Sequence, residues 1–397
     1  GFHLWSESYD ESVSDVFEIQ NRIARQIATA LKVQLEAQAA ASRPANQAAF
    51  QALLEGRHLF AERHQGSNRY DGIAQFALAT ELDPGYADAW AYYAYSLSIS
   101  GPEEMGLSFE EMHRRVDAAA DRALALEPDH PLALAVQGSR RIEQFSFEDG
   151  LEILLGVTEK YPSMVEGQYA LAGAWEVVGN YARSVQVMRR VLALDPLNST
   201  RYRVYSQRLF LAGRVSEAMD NVAELLSLGT DFRPIAFMHW WLALIRRDAD
   251  WRPVRDKLLE RLAASNTPSD IAGDIEQVTE DLSALLSGRT GVLERLPMGE
   301  DRAVRPVALL YINTLMAIRE VDVAADLVIQ MIDDGSLLAA GVSPLFLSPV
   351  FQLDEAVLNH PAYLAMWQRP EMLKLARART KYGTSHAIPP EIIVRVE

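Results

Sequence analysis

Apolar and polar residues alternate with a helical period along most of this chain, and the helical stretches come in pairs. The clearest pair covers 166–178 and 181–194, where apolar residues recur every three or four positions. Gly179 and Asn180 interrupt the pattern between these stretches, and Gly213 stands at the same place between 202–211 and 215–228. One helical hairpin cannot bury its own apolar face, whereas a stack of hairpins can. The pattern therefore predicts stacked helix-turn-helix units.

Prolines and small residues share one register along these units. The prolines are spaced 44, 34 and 34 residues apart, at Pro84, Pro128, Pro162 and Pro196. Proline disfavours a helical conformation in the residue before it, so each proline separates two units. Small residues, which let two helices cross closely, stand ten positions after each proline: Ala94, Gly138, Ala172 and Ser206. Extra residues near 62–68 and 98–107 are predicted to be loops inside the first two units.

This 34-residue period, with its small and proline positions, resembles the tetratricopeptide repeat (TPR) family over about four or five units, residues 46–230. The resemblance implies an all-α fold, a right-handed superhelical solenoid of helix-turn-helix repeats. Residues 231–397 are predicted to form degenerate helical repeats and a C-terminal cap. The predicted helices in that part cover 234–247, 251–264, 270–287, 302–318, 321–332, 360–367 and 371–382. The basic run 369–381 is more typical of a solvated helix face than of a partner contact.

The N-terminal segment, residues 1–45, has a pattern of its own. Residues 2–9 alternate apolar and polar side chains like an edge strand, and a helix is predicted from Asp15 to about residue 39. The run from Gly1 to Asp10, followed by Asp15-Val-Phe-Glu-Ile-Gln-Asn-Arg-Ile-Ala24, resembles the end of the TolB-like domain that precedes TPR units in bacterial multidomain regulators. In that family a class III nucleotide cyclase or a winged-helix domain stands upstream. The resemblance implies a fragment of a bacterial signalling protein, with its output domain outside this sequence.

Composition narrows the classes of function. The net charge is 38 − 54 = −16, which argues against a general nucleic-acid binder because phosphate neutralisation needs a basic face. The chain has no cysteine, so disulfides, thiolate catalysis and cysteine-based zinc sites are excluded. No apolar stretch approaches the roughly 20 residues that span a bilayer, and no signal peptide is visible. The compartment stays open, with the cytoplasm favoured over the periplasm.

No motif predicts an enzyme, a cofactor site or a metal site. The densest histidine cluster holds His58, Glu62 and His64, whose spacing is not the His-Glu-x-x-His zinc arrangement. Neither a phosphate-binding loop, nor a Gly-x-Gly-x-x-Gly motif, nor a Gly-x-Ser-x-Gly turn occurs. The chain is therefore predicted to be non-catalytic.

Candidate partner-binding residues come from the first helix of each unit, which in stacked hairpins lines the concave face. Polar or aromatic residues there that packing does not require are Tyr95, Arg140, Tyr169, Glu176, Arg203, Gln207 and Phe210. Their mixture favours a protein or peptide partner over a charged small molecule. TPR domains that clamp carboxylate tails carry Lys and Asn on these helices, whereas this chain has Ala91, Ala135 and Tyr169, which speaks against that mode.

Two other functions remain open from the sequence. The array could dimerise the regulator through apolar residues of the N-terminal helix, namely Ile23, Ile27 and Leu31. Alternatively, a small ligand could bind among the C-terminal aromatic residues Trp240, Trp241, Tyr311 and Trp367, although these are more typical of a core. The leading hypothesis is a protein- or peptide-binding scaffold or sensor region.

Overall fold

The structure, a computed structural model, describes residues 46–62, 69–100, 105–196, 198–227, 319–338 and 353–396, with single positions between 256 and 348. These residues form fifteen α-helices and no strand. The prediction of an all-α helical-repeat solenoid is confirmed. The predicted edge strand at 2–9 and the helices predicted at 15–39, 234–247, 251–264, 270–287 and 302–318 fall outside the continuous described ranges.

Ten helices form the array, defined here as residues 47–227. They are α1 (Gln47–Glu62), α2 (Arg69–Leu82), α3 (Ala87–Ser98), α4 (Phe109–Leu126), α5 (Pro131–Glu143), α6 (Phe147–Lys160), α7 (Val165–Val177), α8 (Tyr181–Leu194), α9 (Ser199–Leu211) and α10 (Val215–Ser227). The odd-numbered helices are the first helices of successive units, and each packs most closely on the even-numbered helix that follows it. First helices also pack on one another from unit to unit, as α3 does on α5 and α5 on α7.

The small residues of the predicted register lie where the two helices of a unit cross. Ala94, Ala172 and Ser206 are fully buried. Gly138 of α5 faces Gly150 of α6 so closely that a Cβ on Gly150 would lie 2.8 Å from the Gly138 carbonyl oxygen. Side chains larger than these would push the two helices apart. The register read from the proline spacing is therefore the packing register of the array.

The turn between the two helices of a unit repeats one backbone geometry. In the α7–α8 turn the Asn180 N–H donates to the Trp175 carbonyl at 2.8 Å, and equivalent bonds close the turns before α6 and α10. Gly179 and Gly213 hold a φ of 78° at this turn, the left-handed region that glycine enters without steric cost. Phe145 occupies the same position before α6 with a φ of 59°, a conformation that costs a non-glycine residue roughly 1–3 kcal/mol.

Five helices belong to the C-terminal segment, defined here as residues 319–338, 347–348 and 353–396. They are α11 (Val321–Asp333), α12 (Glu355–Leu358), α13 (Pro361–Trp367), α14 (Pro370–Tyr382) and α15 (Pro390–Val396). The predicted helices at 321–332, 360–367 and 371–382 are confirmed, and α12 and α15 are additional. The turn before α11 repeats the array geometry, since Arg319 has a φ of 69° and the Glu320 N–H donates to the Leu315 carbonyl. The assignment of residues 231–397 to degenerate repeats stays a prediction.

The basic run 369–381 is in part the solvated helix face that the sequence predicted, because Lys374, Arg377 and Lys381 are exposed. Arg379 is fully buried, Lys381 forms an ion pair with Glu148 of α6, and Arg369 pairs with Asp333 of α11. Helix α14 therefore packs against α6 of the array, and Arg369, Arg379 and Lys381 have partners within the chain. Sequence alone could not show this because the acidic partners lie far away along the chain.

Candidate functional site

The first helices α3, α5, α7 and α9 border a groove that encloses about 570 Å³ of space continuous with solvent. This first-helix groove is defined by its lining residues. They are Tyr95, Ser98, Ile99, Ala135, Val136, Ser139, Ile142, Glu143, Glu166, Tyr169, Ala170, Gly173, Ala174 and Arg208. Small residues in the lining, among them Ala135, Ala170 and Gly173, leave room for the side chain of a ligand. The lining is mainly apolar, with carboxylates from α5 and α7 and one guanidinium from α9.

Two tyrosines supply the aromatic surface of the groove. Tyr95 meets Phe60 of α1 edge to face, with ring centroids 6.3 Å apart, which holds the phenol ring in place. Tyr169 carries the guanidinium carbons of Arg201 and Arg208 at 5.1 and 5.3 Å from its ring centre. Such contacts between a cation and an aromatic face are attractive and orient both groups. The rings are therefore preorganised rather than free to rotate away from a ligand.

Arg208 is held by a buried ion pair beneath the groove. Its Nε donates to the Glu176 carboxylate at 3.0 Å, and both side chains are almost completely buried. Arg201 donates in the same way to Asp195 at 2.7 Å. A buried cation without such a partner would be strongly unfavourable, so these pairs fix the position of each guanidinium against Tyr169. The two ion pairs hold α9 against α7 and against the end of α8.

A second ion-pair cluster lies at the α5 side of the groove. Arg140 donates two bonds to the Asp117 carboxylate of α4, at 2.7 and 3.2 Å, and a further bond to Glu143. His113 of α4 lies 3.8 Å from the same Glu143 carboxylate. The Glu143 side chain that lines the groove is therefore held in place from the neighbouring unit.

Arg203 differs from the other arginines of α9. Among the residues that the structure describes, no carboxylate forms an ion pair with its half-buried side chain. Burial lowers the pKa of the Arg203 guanidinium; Tyr169 partly offsets this, and the positive charge of Arg208 adds to the lowering. An anionic group placed beside Arg203 would reverse this unfavourable environment.

The seven predicted binding residues occupy different environments. Tyr95 and Tyr169 line the groove, whereas Arg203 and Gln207 lie half-buried on α9. Arg140, Glu176 and Phe210 are buried, and the first two belong to the ion-pair clusters described above. Their role as partner contacts stays a prediction. Arg208, absent from the predicted set, has a signal in the sequence, because Arg201 and Arg208 are seven residues apart and share a helix face.

Histidines and aromatic residues elsewhere have structural roles where the structure describes them. His130 caps α5, accepting the Ala133 N–H at 3.3 Å and contacting the Asp88 carboxylate at 2.8 Å. Trp367, proposed from the sequence as part of a ligand pocket, is fully buried and packs edge to face against Tyr363.

No cluster that could hold a metal ion occurs among the described residues. Within the same part of the chain, none of the helices combines the length and apolar character of a membrane span.

No protein-family model matches the sequence. No curated protein shows significant similarity to it. Similar solved structures include one described as the functional characterisation of Pseudomonas aeruginosa pilF, at 17% identity and a TM-score of 0.35, which covers 58% of this chain and 97% of that one.

Two further similar structures cover more of this chain. The P58(IPK) TPR domain is 12% identical with a TM-score of 0.25, and the match covers 88% of this chain and 97% of that one. The structure of Naa15/Naa10 bound to HypK-THB is 17% identical with a TM-score of 0.26, covering 83% of this chain and 54% of that one. At these scores the similarities say nothing about what this chain binds.

Proposed function

We propose that the chain is a non-catalytic scaffold or sensor region of a bacterial signalling protein, and that it binds an extended segment of a partner protein. The first-helix groove, on the predicted concave face, receives that segment. The observation that carries the proposal is the combination of two preorganised tyrosines with a centre of small residues between neighbouring first helices. The signalling context rests on the resemblance of the N-terminal segment to the TolB-like junction.

The lining of the groove selects the chemistry of the partner. Ala135, Ala170 and Gly173 leave a depression that fits one apolar side chain, which Tyr95 and Tyr169 would flank. Tyrosine and arginine are enriched among the residues that contribute most at protein interfaces, and tyrosine buries a large surface with little loss of side-chain entropy. The preferred segment therefore carries an aromatic or branched apolar residue.

The charges around the groove set the orientation of the segment. Glu143 and Glu166 line its α5 and α7 sides, whereas Arg203 on α9 has no ion-pair partner in the described part of the chain. A basic residue of the partner is favoured near the two carboxylates and an acidic residue near α9. Charge complementarity of this kind fixes register and direction more than it adds affinity.

A displayed library of random peptides tests the proposal without the natural partner. Peptides selected on the wild-type chain are measured against Ala170→Trp, which fills the depression, and against Ala182→Trp, which adds the same ring on the exposed face of α8. We expect Ala170→Trp to weaken binding at least tenfold and Ala182→Trp to leave it unchanged. Selected peptides that bind both variants as they bind wild type would show that the groove is not the binding site.

Self-association is a second candidate, because α1 presents two apolar side chains to solvent. Phe50 and Leu54, one helical turn apart, are 41% and 45% exposed. Such a pair on the first described helix of a solenoid is a surface on which a second copy could pack. Light scattering of wild type and of the double variant Phe50→Glu/Leu54→Glu tests this. A dimer that persists in the variant would place the interface elsewhere.

A further inference from the structure

Two of the first helices that border the groove, α7 and α9, contact the C-terminal segment through their C-terminal ends, and α5 is linked to it through α4. The contacts of α7 are the most extensive. Arg379 of α14 is fully buried, and it donates to the Val177 carbonyl at 3.0 Å and to the Leu347 carbonyl at 2.6 Å. Val177 is the last residue of α7, and the carbonyls at a helix C-terminus carry partial negative charge that attracts a cation.

The phenol of Tyr181 completes the Arg379 site. Arg379 also donates to the Tyr181 hydroxyl at 3.2 Å, and that hydroxyl donates to the Leu347 carbonyl at 3.1 Å. The guanidinium carbon lies 5.8 Å from the centre of the Tyr181 ring. This cation is thus stabilised by carbonyl dipoles and a phenol, in a site assembled from α7, α8, α14 and residue 347.

The α7–α8 turn makes two further contacts with the end of α14. The Asn180 side chain donates to the Tyr382 carbonyl at 2.8 Å while its oxygen caps α8. Gly383 lies so close to the same turn that a Cβ on it would stand 2.0 Å from the Val178 carbonyl oxygen. Only a glycine allows this approach. The α7–α8 turn is therefore enclosed by α14 and the residue that follows it.

The end of α9 has an equivalent contact, whereas the end of α5 is linked to the segment through His113 of α4. The Ser348 hydroxyl donates to the carbonyl of Leu211, the last residue of α9, at 2.9 Å. Glu143, the last residue of α5, lies 3.8 Å from the His113 imidazole, and Gly335 is packed against that ring. These contacts tie one segment to three neighbouring units of the array.

We propose that the C-terminal segment is a clasp that sets the spacing of α5, α7 and α9 and thereby the width of the first-helix groove, with Arg379 as its principal positioning residue. In a solenoid each unit contacts only its neighbours, so small changes at each joint accumulate into a change of curvature. A segment that bridges three units opposes this change. The consequence for partner binding rests on the function proposed above.

Distance measurements between spin labels test the clasp without any partner. The chain has no cysteine, so two introduced cysteines are the only labelling sites. Glu152→Cys on α6 and Gln186→Cys on α8 report the spacing of two units that the clasp ties together. Ala74→Cys on α2 and Ala118→Cys on α4 report two units away from Arg379. All four positions are exposed.

We expect Arg379→Met to broaden the distance distribution of the Glu152/Gln186 pair and to leave that of the Ala74/Ala118 pair unchanged. Arg379→Lys, which retains a cation able to reach one carbonyl, should give an intermediate width. An unchanged Glu152/Gln186 distribution overturns the proposal. Equal broadening in both pairs overturns it as well, because it indicates general loosening instead of a local restraint.

A milder pair of variants keeps the test decisive if Arg379→Met does not fold. Asn180→Ser retains a cap for α8 but loses the donor to Tyr382. Asn198→Ser makes the same change at the N-terminal cap of α9, and Asn198 itself forms no hydrogen bond with the clasp among the described residues. Only Asn180→Ser should broaden the Glu152/Gln186 distribution. Equal effects of the two variants contradict the clasp, whereas the peptide-library experiment tests partner binding independently.

Discussion

The array and the C-terminal segment are both helical, but they are held together in different ways. In the array one joint recurs: a small residue at the helix crossing and a turn with the same hydrogen bonds, seen at Gly179 and Gly213. The C-terminal segment docks through contacts that occur once each, of which Arg379 at the end of α7 is the most buried. Because the same contact recurs between units, we expect a substitution at one helix crossing or turn to leave the rest of the array folded. The single contacts make the docking of the segment sensitive to individual residues.

The largest change in stability is expected at the buried ion pair of Glu176 and Arg208, which is a contact of the array that does not recur from unit to unit. Glu176→Leu leaves a buried arginine without its carboxylate and should lower the free energy of unfolding by about 3–5 kcal/mol. The double variant Glu176→Leu/Arg208→Met removes the charge as well and should recover most of this loss. Urea unfolding of both variants measures the difference. A double variant as unstable as the single one would contradict the ion pair as the cause.

Gly383→Ala should have the next largest effect. Its Cβ would overlap the Val178 carbonyl, so the end of α14 must move away from the α7–α8 turn. Overpacking of this kind costs about 1–3 kcal/mol. We expect faster protease cleavage within the C-terminal segment, with little change in the circular dichroism of the array. Uniform loss of helix would contradict the view that docking of the segment is a separate, local event.

Gly156→Ala is the matched change inside the array and should have the opposite sign. Gly156 lies within α6, and a Cβ added there meets no atom within 4 Å. Alanine in an exposed helix interior is more favourable than glycine by about 0.5–1 kcal/mol, so the unfolding midpoint should rise. A lower midpoint would show that an unseen contact occupies that position.

The smallest effect is expected at the exposed ion pair between Lys381 of α14 and Glu148 of α6. Lys381 lowers the pKa of the Glu148 carboxyl below its usual 4.5. A lowered carboxyl pKa contributes stability above pH 4.5, and the contribution is lost as the pH falls through the lowered value. Wild type should therefore lose its slight advantage over Glu148→Gln on acidification. A difference that does not change with pH would argue against this pair, and added salt should also reduce the difference at neutral pH.

Part of the candidate site followed from the sequence and part did not. Tyr95 and Tyr169 were predicted because their positions in the repeat place them on the first helices, and both line the groove. Glu176 also lies on a first helix, but it is buried in an ion pair with Arg208. The difference arises because repeat position gives the direction of a side chain, whereas the partner of a charge depends on the neighbouring unit.

The sequence by itself determined the helices, their pairing and their packing register. These properties depend on residues near one another in the chain: prolines between units, small residues at crossings and glycines at turns. Only the tertiary structure decided which cations of the basic run 369–381 have partners within the chain. Arg379 is buried and donates to the carbonyl of Val177, which lies about 200 residues earlier in the sequence. Local sequence patterns do not predict contacts between residues so far apart in the chain. From its sequence alone, a charged residue is expected to be exposed to solvent. It is buried only where folding surrounds it with carbonyls and rings, and the spacing of residues along the chain does not predict that place.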